Sequence, residues 1–301
     1  MIDIHTHILP NIDDGSRSIE ETFNLIKEAK NAGFDAIVST SHYMEGYYET
    51  NTPEREVWLN AIYENLQAKN IDIQLYMGNE IYMTENMIKI LEDGKASTIN
   101  DTSYVLFEMP LNIEPLNLYD IIYEMQQYKI VPILAHPERY SFIQKEPELI
   151  YDLIEKGVLM QANYGSIIGQ YGEKAQMIVK KFFENNMIHL LGTDVHRQNT
   201  IYPRIPQILS EINELIGEEK LRELTTINPR LVLGNKRIDI RKPHKIELTF
   251  KEKMIMSKGE SFSTISSTIK DIFKGIKSGR NNYMKGRVLW ENILELMESE
   301  E

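Results

Sequence analysis

The chain has 301 residues, 42% hydrophobic and 26% charged, which suits one large soluble globular domain or a domain with an extension. Its formal net charge is −12, with 12 Lys and Arg against 9 Asp and Glu from Arg241 onward, so the first 240 residues carry −15 and make a poor partner for nucleic acid. There is no cysteine, which excludes disulfides, thiolate metal sites and a cysteine nucleophile.

Short apolar runs alternate with helical patterns along the chain. The first run is Met1–Ile4. Ser18 with Glu21 three residues on predicts a capping box, opening a helix that reaches Ala32 and stops at Gly33. A strand at Asp35–Ser39 precedes a helix at Pro53–Lys69, and a strand at Ile73–Met77 precedes a helix near Glu85–Glu92. Then come a strand at Tyr104–Phe107, a helix at Leu118–Tyr128, a strand at Ile130–Leu134 and a helix at Pro147–Lys156. A strand at Val158–Gln161, a helix at Glu173–Asn185, a strand at Ile188–Leu191, and helices at Ile205–Ile216 and Glu218–Thr225 complete the regular part. Strands alternating with helices imply right-handed βαβ units and a parallel sheet, either open and doubly wound or closed as a barrel. The turn after the first strand lacks a Gly-rich dinucleotide fingerprint, which weighs against a Rossmann fold.

Near Gly234–Pro243 the alternation stops, so residues 1–240 read as one domain and 241–301 as a helical extension. Within the extension, Phe262–Leu289 places Ile265, Ile269, Ile272, Phe273 and Ile276 on one helical face, with Lys270, Lys274, Lys277, Arg280, Lys285 and Arg287 nearby. Such a basic amphipathic helix packs on the acidic body or on a second copy; the alternative is peripheral contact with an anionic membrane. The opening MIDIHTHILP has no basic region leading into a long apolar stretch, and no run approaches the ~18 apolar residues of a membrane span, so a cytoplasmic location is expected.

The ends of the strands carry the chemistry. His5 and His7 follow the first strand, His42 the second, Glu80 the third, Glu108 the fourth, His136 the fifth, and Asp194 with His196 the seventh. In a parallel barrel these ends converge on one face, where active sites are built. Residues i and i+2 of an extended chain point the same way, so His5 and His7 act as a pair, as do Asp194 and His196. Asp13 and Asp14, in the turn IDDG, reach the same mouth. A single His or Glu at a strand end is ordinarily a solvated loop residue, but five of the seven histidines fall at these positions. His189 and His244 receive no role. A sulfur-free imidazole and carboxylate set accepts Mn, Fe or Zn, and so many candidates imply a cluster of two or three ions. Ions ~3.5–4 Å apart are typical of phosphoester hydrolysis. Arg139, three residues past His136, is placed to grip a phosphate; the bland reading is a surface salt bridge with Glu138 or another neighbour.

These residues resemble the motifs of the polymerase-and-histidinol-phosphatase (PHP) superfamily. More closely, they resemble the manganese-dependent protein-tyrosine phosphatases encoded with bacterial capsule and exopolysaccharide genes. The resemblance rests on DIHTHILPNIDDG, STSH ending at His42, GNEI around Glu80, AHPERY around His136 and GTDVH ending at His196, in that order, and covers Met1 to Asn235. It implies an α/β fold, a distorted seven-stranded (β/α) TIM-like barrel, followed by the C-terminal extension. It also implies three metals, with Mn2+ foremost and Fe or Zn as alternatives. His5, His7, Glu80 and Asp194 would hold the first ion, bridging Glu80 with Glu108 and His136 the second, and Asp14, His42 and His196 the third. Arg139 and His42 are the candidate catalytic residues, and Arg139 matches a phosphate-binding arginine. Relatives commonly carry another arginine where this chain has Ile201; Arg197 and Arg204 are the nearby candidates. The implied substrate is a phosphotyrosine protein, a membrane-associated tyrosine kinase of the capsule system. Rival readings are a small-molecule phosphatase acting on histidinol phosphate or the like, and a non-catalytic phosphotyrosine-binding regulator.

Overall fold

In the computed structural model, which describes residues 1–257, every apolar run read as a strand is one. The strands are β1 (Ile2–Thr6), β2 (Ala36–Ser39), β3 (His42–Tyr43), β4 (Gln74–Met77), β5 (Glu80–Tyr82), β6 (Tyr104–Glu108), β7 (Val131–Ala135), β8 (Leu159–Asn163) and β9 (Leu190–Gly192). β3 and β5 are additions: His42 and Glu80 do not trail their strands but open short new ones.

All pairings between these strands are parallel, in the orders β1-β2-β4 and β3-β5-β6-β7-β8-β9. The fold is α/β, with its parallel sheet forming a half-barrel. Two sets of contacts join the sheets. The amides of Gly78 and Glu80 donate to the carbonyls of Ser39 and Thr40 at 2.9 and 3.0 Å, carrying the β2–β4 pairing forward into β3–β5. Thr6 bridges Val195, just beyond β9, and the Asp194 amide donates to the His5 carbonyl at 2.9 Å.

The core spans both sheets. Ile4, Val38, Leu106, Ile133, Leu159 and Leu190, from six different strands, form one buried cluster joined by Val232 and Ile238. Each such side chain contributes about 1.5–3 kcal/mol by leaving water. Helices pack through faces of helical period: in Ile19–Asn31 the buried residues are Thr22, Leu25, Ile26 and Ala29. That helix starts on Ser18, whose Oγ accepts from the Glu21 amide at 3.1 Å. The Glu21 carboxylate accepts from the Arg17 amide rather than that of Ser18, so the capping box is only half formed. The helix beginning at Glu218 ends sooner than expected, at Arg222, and continues as a π turn over Glu223–Ile227.

Met1–Glu247 forms one compact unit, within which Ile238 and Ile246 are buried. A second unit begins at Leu248, and its described part includes a helix at Phe250–Ser257. The amphipathic stretch at Phe262–Leu289 lies outside the described residues. No helix among the described residues is long and apolar enough to cross a membrane.

Candidate metal centre

The strands and the loops at one end of the sheet bring all nine expected ligands into one cluster. His5, His7, Glu80 and Asp194 form one group able to hold an ion, His7, Asp14, His42 and His196 a second, and His42, Glu80 and Glu108 a third. Glu80 is the hub. Its Oε2 lies 3.1 Å from His5 Nε2, 3.3 Å from His7 Nε2 and 3.2 Å from His42 Nδ1, while its Oε1 lies 3.0 Å from His136 Nε2. His136 also comes within 4.0 Å of Glu108, whose other oxygen is 3.1 Å from His42. His42 therefore faces Glu80 and Glu108 through Nδ1 and Asp14 through Nε2, at 3.6 Å. Compared with the sets implied by resemblance, His7 also joins the Asp14 group and His42 the Glu108 group. His5, His7 and Glu80 are fully buried, whereas Asp14 is half exposed at the mouth.

Hydrogen bonds behind the cluster orient it. Three histidines have a carbonyl or carboxylate oxygen facing Nδ1: Gln161 Oε1 for His5 at 2.7 Å, Asp13 Oδ2 for His7 at 2.8 Å and the Asp194 carbonyl for His196 at 2.9 Å. With the Nδ1 proton donated to these acceptors, the Nε2 lone pairs point inward. His5 Nε2 and His7 Nε2 then face each other at 3.2 Å, with carboxylate oxygens on either side. Lone pairs so close repel unless positive charge lies between them, so the donor set fits divalent cations. The acidities point the same way. Burial opposes charge on His5, His7 and His42, yet the surrounding carboxylates push all three up, His42 to about 9. Burial likewise opposes charge on Glu80 and Asp194, but the imidazoles hold both well below the usual carboxylate range.

Sequence reasoning missed the supporting amides of β8, the strand whose end carries no His, Asp or Glu. Gln161 holds His5, and Asn163 Nδ2 donates to Asp194 Oδ2 at 2.8 Å. Their i, i+2 spacing in an otherwise apolar strand was the available signal. Asp13 also differs from Asp14. It turns back to His7, the Gly15 amide and the His42 amide, and belongs to no ligand group.

Arg139 bonds Asp194 Oδ2 through Nη1 at 2.8 Å, and its guanidinium lies 4.6 Å from the centre of the Tyr171 ring. Its pairing is thus with the cluster, not with Glu138, which is buried and accepts from the Asn163 amide and Ser166 Oγ. Arg197 donates to the carbonyls of Gly15 and His196, at the same mouth. Arg204 is exposed on the turn Tyr202–Arg204 and has no hydrogen bond or ion pair to the cluster, while Ile201 is buried in the core.

Two cluster residues leave their strands in the left-handed region, His136 at φ 36° and Asp194 at φ 53°. Such backbone costs on the order of 1–3 kcal/mol for a non-glycine residue and is concentrated at functional sites. Two glycines are required by close approach: a Cβ on Gly15 would lie 2.2 Å from the His7 carbonyl oxygen, and one on Gly192 would lie 2.5 Å from His5 Cβ.

Fold and cluster together define a class: parallel α/β proteins that hold metal ions at the carboxyl ends of their strands. Residues 1–234 match the family model described as capsular polysaccharide synthesis, CpsB/CapC, and the chain belongs to that family. It is 32% identical over 238 residues to CapC of Staphylococcus aureus, covering 79% of this chain and 93% of that one. The tyrosine-protein phosphatase CpsB of Streptococcus pneumoniae is 31% identical over 240 residues, covering 77% and 98%. Among solved structures, one from work on YwqE of Bacillus subtilis and CpsB of Streptococcus pneumoniae, described as metal-dependent tyrosine phosphatases, matches with a TM-score of 0.78. It is 29% identical and covers 82% of this chain and all of its own. A histidinol phosphate phosphatase from Lactococcus lactis shares the fold at a TM-score of 0.50 and 13% identity, covering 71% and 93%.

Proposed function

We propose that this protein is a metal-dependent protein-tyrosine phosphatase acting on a bacterial tyrosine kinase that controls capsule or exopolysaccharide synthesis. The supporting observation is the inward-facing lone-pair cluster, in a family whose relatives CpsB and YwqE are named tyrosine phosphatases. His5, His7, Asp14, His42, Glu80, Glu108, His136, Asp194 and His196 are assigned as ligands of two or three ions. Mn2+ is preferred for this carboxylate-rich set. When bound, such ions supply Lewis acidity and lower the pKa of water towards neutrality.

The chain's own side chains supply the rest. Arg139 is anchored by Asp194 and Tyr171 and offers its remaining N–H groups to phosphoryl oxygens, a task suited to a planar fork. His42, lying between Glu108 and Asp14, keeps the two ends of the cluster in register. The leaving group is a phenolate whose conjugate acid has a pKa of about 10, so it needs less protonation than an alkoxide. Arg197 borders the mouth and is the second candidate for substrate contact. We further read the two sheets as one distorted seven-stranded barrel, counting β2 with β3 and β4 with β5 as single interrupted strands, with the catalytic domain ending before Leu248.

The test is hydrolysis of p-nitrophenyl phosphate, a phosphotyrosine peptide and histidinol phosphate, with chelator and after Mn2+ is restored. Loss on chelation, recovery with Mn2+ and preference for the peptide are expected. Full activity in chelator would refute the metal assignment, preference for histidinol phosphate would indicate the small-molecule enzyme, and peptide binding without hydrolysis the regulator.

A further inference from the structure

A cleft of about 610 Å³ opens beside the cluster. Its walls begin where ligand positions end: Tyr43 directly follows His42, Tyr82 lies two residues past Glu80 and pairs with Glu108 in register, and Pro110 lies two residues past Glu108. The lining is aromatic and thioether, with Tyr47 left 80% exposed to water, and Ile113 close by in sequence is 72% exposed. Large apolar side chains left open beside a reaction centre mark a contact surface.

Charge narrows the occupant. Glu45 and Glu85 both line the cleft, and no Lys or Arg does. Each carboxylate is held by a neutral amide, Glu45 by Asn86 at 3.2 Å and Glu85 by Asn117 at 2.9 Å. Neither forms an ion pair with a Lys or Arg among the described residues. Two uncompensated carboxylates in a cleft whose lining includes Tyr47 and Tyr82 suit a cation on a flexible apolar stem, through both ion pairing and cation–π contact. In an extended segment, side chains two and four residues from a given residue share its face, about 7 and 13 Å away.

We infer that this cleft docks the substrate polypeptide beside its phosphotyrosine and selects a Lys or Arg two to four residues away. The inference rests on the phosphatase reading and deepens it from a reaction to a sequence preference. Opposite charges at such exposed positions favour binding modestly, and like charges oppose it.

The experiment measures kcat/KM for three phosphotyrosine peptides of equal length, carrying Lys, Ala or Glu at the flanking positions, each relative to p-nitrophenyl phosphate with Mn2+ present. The Lys peptide is expected to exceed the Glu peptide about tenfold, with the gap shrinking at high salt. In the double variant Glu45→Lys, Glu85→Lys the order should reverse, and because each rate is taken relative to p-nitrophenyl phosphate, general damage cancels. Equal rates for the three peptides, or an unchanged order in the double variant, would overturn the docking inference alone. Inactivity of the wild type on p-nitrophenyl phosphate and on every peptide would overturn the phosphatase reading with it.

Discussion

Replacing Asp13 by Ala separates orientation of the cluster from ligation. The Asp13 carboxylate touches His7 Nδ1 at 2.8 Å, the Gly15 amide at 2.9 Å and the His42 amide at 2.8 Å, so one side chain sets two cluster histidines and the turn between them. Burial works against its charge, but His7 and these donors hold it well below the usual carboxylate range. Loss of a carboxylate behind a metal-bound imidazole costs about 10–100-fold in metal affinity, or roughly 1.4–2.7 kcal/mol. The orphaned donors add about 1 kcal/mol each to the instability of the metal-free fold, and a unit of this size loses about 2–4 °C in Tm per kcal/mol. Titration calorimetry of the metal-stripped variant with Mn2+ should show the affinity loss, and circular dichroism a Tm lower by roughly 6–12 °C. Asp13→Asn, which keeps one acceptor, should fall between. A folded Ala variant that binds Mn2+ within twofold of wild type would refute the claim that His7 is aimed by Asp13.

Arg139→Lys should lower kcat/KM on a phosphotyrosine peptide at least ~10-fold, because an ammonium cannot reproduce the fork; unchanged values for both Lys and Ala variants would reduce Arg139 to a brace for Asp194. Gly192→Ala should destabilise by about 1–3 kcal/mol by forcing His5 and Gln161 apart, and an unaltered melting temperature would contradict the packing described. His189 is buried, accepts from the Met160 amide, and is pushed down to about 4 by burial and by Lys220. The unfolded chain therefore binds the extra proton first, so this contribution is complete above pH 6.5 and is lost as pH falls towards 4. The loss is about 2 kcal/mol by pH 5. Urea unfolding at pH 7 and pH 5 should show that much less acid sensitivity in His189→Gln, and equal sensitivity in the two proteins would refute the assignment.

Much of the fold and most of the candidate site were legible because they obey short-range rules. Apolar runs such as Val131–Ala135 announce strands, and candidate ligands recur near their ends. β3 and β5 were not legible: His42–Tyr43 and Glu80–Tyr82 have too few residues to show a period, and only pairing across the sheet defines them. Asp13 and Asp14 are indistinguishable in sequence, and the turn closed by Gly15 decides which of them faces the cluster. Gln161 and Asn163 were passed over because amides do not announce metal chemistry, although they hold His5 and Asp194 in place. The half-formed capping box shows the same limit, since Glu21 chose a donor one residue beyond the one that the motif names.

The bridge between Thr6 and Val195 bears on how the protein is made. His5 and Asp194 share one ion-holding group, yet a ribosome supplies the second only after 188 intervening residues have been synthesised. Closing so long a span is entropically costly and slow compared with local hairpin or helix formation. A nascent chain thus presents His5 and His7 early, and His42, Glu80 and Glu108 by residue 108, but cannot complete the two groups that need Asp194 or His196 until most of the first unit has emerged. Before then a stray metal meets only an incomplete donor set, and full-strength binding arrives together with the tertiary structure that selects for geometry.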